Sequence, residues 1–494
     1  MKKKFPYLFC IILLAAAQLQ AQQLLPVSVD GDIHAQETSD TSPLCLEDLP
    51  RLPETAADMD NQIIDAIAPE PTRNIFFIHG LGGDRSSWSR VSAFINRTYR
   101  ARSYLASYTE MGNAQECGND LYTNTIQLIN QANAQPPLLI PRERSMLIAH
   151  SQGGIVSRAM DTYEPPGEFG GIATFGTPHT GAYIINNKQD AYQLLSRTTT
   201  GLSQGPITEG LSTAIPNGWF FNTIFGNRVV NSMQDVVNVI QHFGTSILPG
   251  FIEAFDLTNV PLSEEFRVGS PALPQLKGNP HTAKVAFFGT EEDPVLWREL
   301  YNFKGKKPND FLVWDANDDS PYVAGANNTL SNYRSKRDYY LHLAQNTSSF
   351  WNPAKRARFM MISNAYGRGT ATLMTLNDEF KAVIGAVRKV NSGRTICRCE
   401  EKDAGTYGYT VNGPCPNSPP QGVVCAPIPV ESLLTEDSDG AVVQSSASAY
   451  PDAVAQVKMA GSNHQQMRND SNTKWAIRRL LNGDFHDFFK TATY

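Results

Sequence analysis

Ser145-Met146-Leu147-Ile148-Ala149-His150-Ser151-Gln152-Gly153-Gly154 is the stretch on which the reading of this chain turns. Its first five residues form a short apolar run of strand character, and Gly153 to Tyr163 has the spacing of a helix. A serine hydroxyl is a poor nucleophile at neutral pH and needs an adjacent base. One way to present it is a sharp strand-to-helix turn, which crowds the chain and demands small residues two positions before and two after the serine. Ala149 and Gly153 occupy those positions, with Ala149 where glycine is usual. Ser151 is the candidate nucleophile; the competing reading is a glycine-rich turn with an ordinary N-cap serine.

Outward from this turn, strands and helices alternate. Asn74 to Ile78 is an apolar run ended by His79-Gly80-Leu81-Gly82-Gly83, and Gly171 to Phe175 is another. Arg102–Tyr108 reads as a strand, while 86–97 and 120–134 have helical spacing. Such alternation predicts an α/β protein with a mostly parallel central sheet and helices on both faces. The pattern breaks after Gly181 and returns at 284–289. We divide the chain into an N-terminal extension (22–71), core (72–182), lid or cap insertion (183–280), core strand (281–294), helical and cysteine-rich insertion (295–429) and final core (430–494). The lid includes amphipathic stretches at 229–243 and 247–255, besides the apolar cluster Trp219-Phe220-Phe221. Val442-Val443, a strand over 453–459 and a helix over 473–490 close the core.

Lys2-Lys3-Lys4, an apolar run from Phe9 to Ala17 and small residues up to Ala21 predict a signal peptide over 1–21, and hence a secreted protein, periplasmic or extracellular. Export makes disulfides the expected state of the cysteines. Cys397, Cys399, Cys415 and Cys425 cluster and should pair among themselves, leaving Cys45 for Cys117. A zinc site in the cluster would have to be all-cysteine or borrow a distant ligand, since no histidine lies between His342 and His464. Net charge is −6, with 41% apolar and 18% charged residues. Nothing there suggests a nucleic-acid partner, and no motif calls for a cofactor. Oligomeric state is not legible.

In hydrolases built on such a turn the acid and then the base follow the serine along the chain. His464 and His486 come late enough, and His464 is preferred because it sits in a loop between the last strand and the closing helix. Glu436-Asp437-Ser438-Asp439-Gly440 offers the acid: Asp439 first, Asp437 as runner-up. The oxyanion of an acyl-transfer intermediate needs N–H donors, expected from Gln152 and, in the glycine loop, from Leu81.

His150-Ser151-Gln152-Gly153-Gly154, His79-Gly80-Leu81-Gly82, Ser438-Asp439-Gly440 and Asn463-His464 together resemble secreted bacterial triacylglycerol lipases of the α/β-hydrolase fold. Phe175-Gly176-Thr177-Pro178-His179 with Gly181 is similar to the corresponding segment of the wider lipid-deacylase group, including the GPI inositol-deacylase type. The resemblance covers about 72–182, 280–294 and 430–494. It implies Asp439 as acid, His464 as base and a long-chain acyl or lipid ester as substrate, with transient lipid-surface contact through the lid. Those lipases carry a structural calcium bound by an Asp two residues after the histidine, where this chain has Gln466, so no metal is expected. Asp315 to Asp319 has calcium-loop spacing at first but lacks the glycine and bidentate glutamate, and reads as a polar surface loop. Phospholipase or lipid deacylase, short-chain esterase and amidase activities use the same machinery and stand as alternatives, as does a binding protein with a relic triad.

Overall fold

The computed structural model describes residues 44–46, 71–81, 83, 85–108, 112–133, 140, 144–164, 169–213, 264–293, 295, 320–401, 408–411, 415, 417, 423–468 and 470–494. The expected signal peptide, the amphipathic stretches at 229–255, the Trp219 cluster and the acidic run at 315–319 lie outside these residues.

Seven strands make the main sheet: β1 (Leu44–Cys45), β2 (Arg73–Ile78), β3 (Ala101–Leu105), β4 (Met146–His150), β5 (Gly171–Phe175), β6 (Ala283–Thr290) and β10 (Ala455–Ala460). Their order is β1-β10-β6-β5-β4-β2-β3, and every pairing is parallel. A parallel sheet needs both faces covered, and the alternation along β2 shows how this is met. Phe76 and Ile78 join Leu147 and Ala149 under helices α2 (Ala114–Asn133) and α3 (Gln152–Tyr163). Ile75 and Phe77 point the other way, joining Met146, Ile148 and Phe175 under α1 (Ser89–Thr98) and α9 (Ser471–Asn482). With β4 near the centre and its serine at the strand end, this is the α/β-hydrolase architecture.

Three expectations are corrected. The N-terminal extension, whose polar composition rich in Pro, Asp, Glu and Thr reads as surface, is not only surface: Leu44–Cys45 adds an edge strand beside β10, and Leu46 is buried. Cys45 does not meet Cys117. Strand β1 is the sheet edge opposite β3, beside β10, whereas Cys117 is buried on α2, which packs on α3, as a thiol that burial pushes up to about 11. A disulfide requires Cα atoms within about 7 Å. The closing helix stops at Asn482, where Gly483 takes φ 85°; His486 then caps a separate turn, accepting from the Phe488 N–H. Val442 and Val443, read as core residues, are buried in the loop before the short helix α8 (Gln444–Ala447).

The described part of the first insertion holds α4 (Tyr183–Asn186) and α5 (Lys188–Thr213). In the second insertion, α6 (Ser320–Gln345) and α7 (Pro353–Val383) form a hairpin that packs on α5. Glu209 of α5 is buried and joins all three helices: Tyr340 OH donates to it at 2.6 Å, Lys336 pairs with it at 2.9 Å, and Tyr366 OH donates as well. The cysteine-rich segment is an antiparallel sheet of β7 (Val387–Glu401), β8 (Gly408–Val411) and β9 (Val423–Thr435), with β7 central. Disulfides join Cys397 to Cys415 and Cys399 to Cys425.

Candidate active site

Ser151 follows the last residue of β4 and N-caps α3 with φ 53° and ψ −128°. A non-glycine residue with positive φ is strained and persists only where its surroundings hold it. Three contacts hold it here: the Ser151 N–H donates to Phe175 O at 2.9 Å, the Gly154 N–H to Ser151 O at 3.0 Å, and Thr177 Oγ1 to Ser151 O at 2.9 Å. Space is equally restrictive, since a Cβ on Gly153 would sit 2.3 Å from His79 O and one on Gly154 2.0 Å from Thr177 Oγ1. These collisions are the physical content of the small-residue pattern that exposed the turn in the sequence.

His464 lies in the loop after β10, and its Nε2 is 2.9 Å from Ser151 Oγ. On the other side of the ring, Nδ1 is 2.8 Å from Asp439 Oδ2. Because an ionised carboxylate only accepts, Nδ1 carries the proton and Nε2 is left to accept from the serine. Asp439 is fully buried, and its other oxygen accepts the N–H groups of Ala441 (2.9 Å) and Val442 (2.7 Å). Asp437, the runner-up, points away: it is 59% exposed and pairs with Lys458 at 2.8 Å. His486 is exposed, in the final turn.

The glycine loop after β2 lies against the serine. A Cβ on Gly80 would come within 2.8 Å of Ser151 Cβ, and the Gly83 N–H closes the turn onto Gly80 O at 3.0 Å, with Leu81 half-buried between them. Gln152 is the first residue of α3, where an N–H has no acceptor within the helix. The two residues expected to donate to an oxyanion thus flank Ser151 from two different elements. A hydroxyl, a base facing it, a buried carboxylate behind the base and N–H groups alongside can carry out acyl transfer.

Sequence reasoning did not single out the supports of this set. His150 Nε2 donates to the His464 carbonyl at 2.7 Å, fixing the histidine loop to the end of β4. Burial holds the His150 ring well below the ordinary histidine range, reinforced by the nearby His464 and Arg468, so it stays neutral. Gln466 and Asn463 exchange bonds: the Asn463 N–H donates to Gln466 Oε1 at 3.2 Å and the Gln466 N–H to Asn463 Oδ1 at 3.0 Å. The neutral amide at 466 therefore clips the histidine turn internally. Trp88 Nε1 donates to Ile78 O at 3.0 Å and Tyr108 OH to His79 O at 3.1 Å, bracing the glycine loop from both sides. No local spacing announces His150 or Tyr108, because their contacts join segments far apart in the chain.

No family model and no curated protein matches the chain. Among solved structures it is similar to a Bacillus licheniformis lipase in mature form, at 14% identity and TM-score 0.25 over 50% of this chain and 82% of that one. It is also similar to a Mycobacterium smegmatis proline iminopeptidase, at 14% identity and TM-score 0.23 over 48% of this chain and 79% of that one. A third is MenH from S. aureus, at 13% identity and TM-score 0.20 over 45% of this chain and 76% of that one.

Proposed function

We propose that this protein is a secreted serine hydrolase that cleaves carboxylic esters, with long-chain acyl or lipid esters as its substrates. The observation that carries the reading is the continuous chain Ser151 Oγ–His464 Nε2 (2.9 Å) and His464 Nδ1–Asp439 Oδ2 (2.8 Å), set on a serine at φ 53°. Ser151 Oγ attacks the ester carbonyl as His464 takes its proton. The oxyanion is held by the N–H groups of Leu81 and Gln152, and the alcohol leaves with the proton His464 returns. Water, activated by the same imidazole, then releases the acid. Asp439 keeps the ring in the required tautomer and stabilises the imidazolium. The weakly charged, amphipathic composition of the insertion after Gly181, at the place where lipases carry a lid, is the basis for the lipid-ester reading and for a lid that meets the lipid surface.

The test is a p-nitrophenyl ester series from acetate to palmitate on the native chain and on Ser151→Ala, with a fluorophosphonate adduct mapped by mass spectrometry. The expected outcome is one adduct, on Ser151, and turnover that rises with chain length and vanishes in the variant. Turnover independent of Ser151 would overturn the nucleophile; a preference for acetate over decanoate and longer esters would overturn the lipid substrate.

A further inference from the structure

The turn joining α6 to α7 displays Phe350 and Trp351 side by side, 80% and 79% exposed, the highest exposure of any large apolar residues among those described. Their rings meet edge-on at 5.1 Å. The turn that carries them is ordered by its own bonds: the Trp351 N–H donates to Ser348 Oγ at 3.1 Å and the Asn352 N–H to Ser348 O at 3.0 Å. Two bulky aromatic side chains are thus held outward by backbone geometry, at a cost in solvation that no contact within the described residues returns.

The charge around this tip is one-sided. No Asp or Glu occurs between Asp338 and Asp378, whereas Lys355, Arg356, Arg358 and Arg368 do, in a chain whose net charge is −6. Lys355 and Arg356 are exposed and occupy the first turn of α7, which begins at Pro353. Cations at a helix N-terminus oppose the helix dipole, so helix stability does not account for them. Aromatic residues at a protruding tip, followed at once by Lys and Arg, match the interface of an anionic bilayer: the rings enter the boundary between headgroups and acyl chains while the cations meet the phosphates.

We propose that the α6–α7 tip is a docking element for anionic phospholipid bilayers, with Phe350 and Trp351 inserting and Lys355 and Arg356 supplying the charge attraction. This contact is separate from the lid and needs no turnover, so it stands or falls apart from the ester-hydrolase reading. The experiment is flotation of the full chain with vesicles of ether-linked phosphatidylglycerol and phosphatidylcholine, which have no acyl ester to cleave. The native chain should float with phosphatidylglycerol vesicles and much less with pure phosphatidylcholine, and 0.5 M salt should release it, because salt screens exposed charge. Phe350→Ser/Trp351→Ser and, independently, Lys355→Glu/Arg356→Glu should each weaken partitioning by about tenfold while leaving hydrolysis of p-nitrophenyl butyrate unchanged. The proposal is overturned if both variants float like the native chain, or if the native chain does not distinguish the two lipids. It is equally overturned if the aromatic variant changes the molar mass in light scattering without changing flotation, which would make the tip a protein–protein contact.

Discussion

Asp439 and Asp437 are two residues apart and chemically identical, yet their surroundings assign them opposite roles. Asp439 is buried and accepts two backbone N–H groups besides the His464 ring, whereas Asp437 faces solvent beside Lys458. Asp439→Asn preserves the volume but offers Nδ1 an amide in place of a carboxylate, so the imidazole loses the preference that leaves Nε2 free to take the serine proton. We expect kcat to fall by on the order of 10⁴, the loss seen when a serine-protease triad suffers this change, with the fold retained. Asp437→Asn removes one exposed ion pair and should leave kcat within a few-fold. Ester kinetics on both variants decide the matter; comparable losses would mean that the acid is misassigned. At this scale the sequence was informative because the serine turn writes its steric demands into adjacent positions, Ala149, Gly153 and Gly154. Chain order narrowed the base to His464 or His486 and the acid to the 436–439 turn, and the loop context of His464 and the Gly440 after Asp439 favoured this pair. His150 was not legible, since its partner is the carbonyl of a residue 314 positions away.

Elements differ in how plainly they announce themselves. Buried strands such as β4 and β5 are continuous apolar runs, and their bounds follow from where the apolar residues stop. The β7–β9 arm gives no such signal. Much of β7 is exposed, so Lys389, Asn391, Ser392 and Arg394 interrupt the alternation that marks a half-buried strand. Its order comes from the two disulfides toward one end and from its base, where the Glu436 N–H donates to Ala386 O at 2.8 Å and Arg388 pairs with Glu436 at 2.6 Å. Reduction should therefore loosen the disulfide end while the base, which leads into Asp439, keeps its protection. Each bridge closes a loop of 18 or 26 residues, for which the chain-entropy account gives about 3 kcal/mol. Hydrogen exchange with and without reductant should show faster exchange around Cys397 to Glu401 and little change at Ala386 and Glu436; uniform loosening would refute a separately anchored base. The helical insertion is held differently. Glu209→Leu would leave Lys336 and two tyrosine hydroxyls without their shared carboxylate, and stranding buried partners in this way costs about 3–5 kcal/mol. Thermal unfolding should show the α5–α7 unit melting earlier, while the sheet keeps its own transition.

For the molecule as a whole, acid is the condition that tests how the packing was built. His150 and His179 are both fully buried and both held well below the ordinary histidine range, chiefly by burial; His464 and Arg468 add to the effect at His150, and Arg158 adds to it at His179. Each ring is fixed in its neutral form by geometry that spans the fold. His150 donates to the His464 carbonyl at 2.7 Å, while His179 lies 3.0 Å from Thr174 Oγ1 and stacks on Tyr450 at 4.3 Å. In the unfolded chain both rings titrate near pH 6.5. Below that pH the unfolded state binds protons that the folded state refuses, so folding stability is complete above about 6.5 and declines as the pH falls toward the depressed folded values. The slope is up to about 1.4 kcal/mol per pH unit for each group. Asp161, whose carboxyl is raised chiefly by burial, contributes with the opposite sign. Urea midpoints measured between pH 5 and 8 should therefore fall steadily below 6.5 and level off above it. His150→Gln/His179→Gln keeps hydrogen-bonding side chains at both positions but removes the titration; it should lower stability at pH 8 and yet flatten the profile between pH 5 and 6.5. An unchanged slope in the double variant would mean that other groups govern acid sensitivity and that these two rings are not neutral anchors. One of these rings, His150, also holds the His464 loop to the end of β4, so the same acid sensitivity bears on the position of His464 beside Ser151.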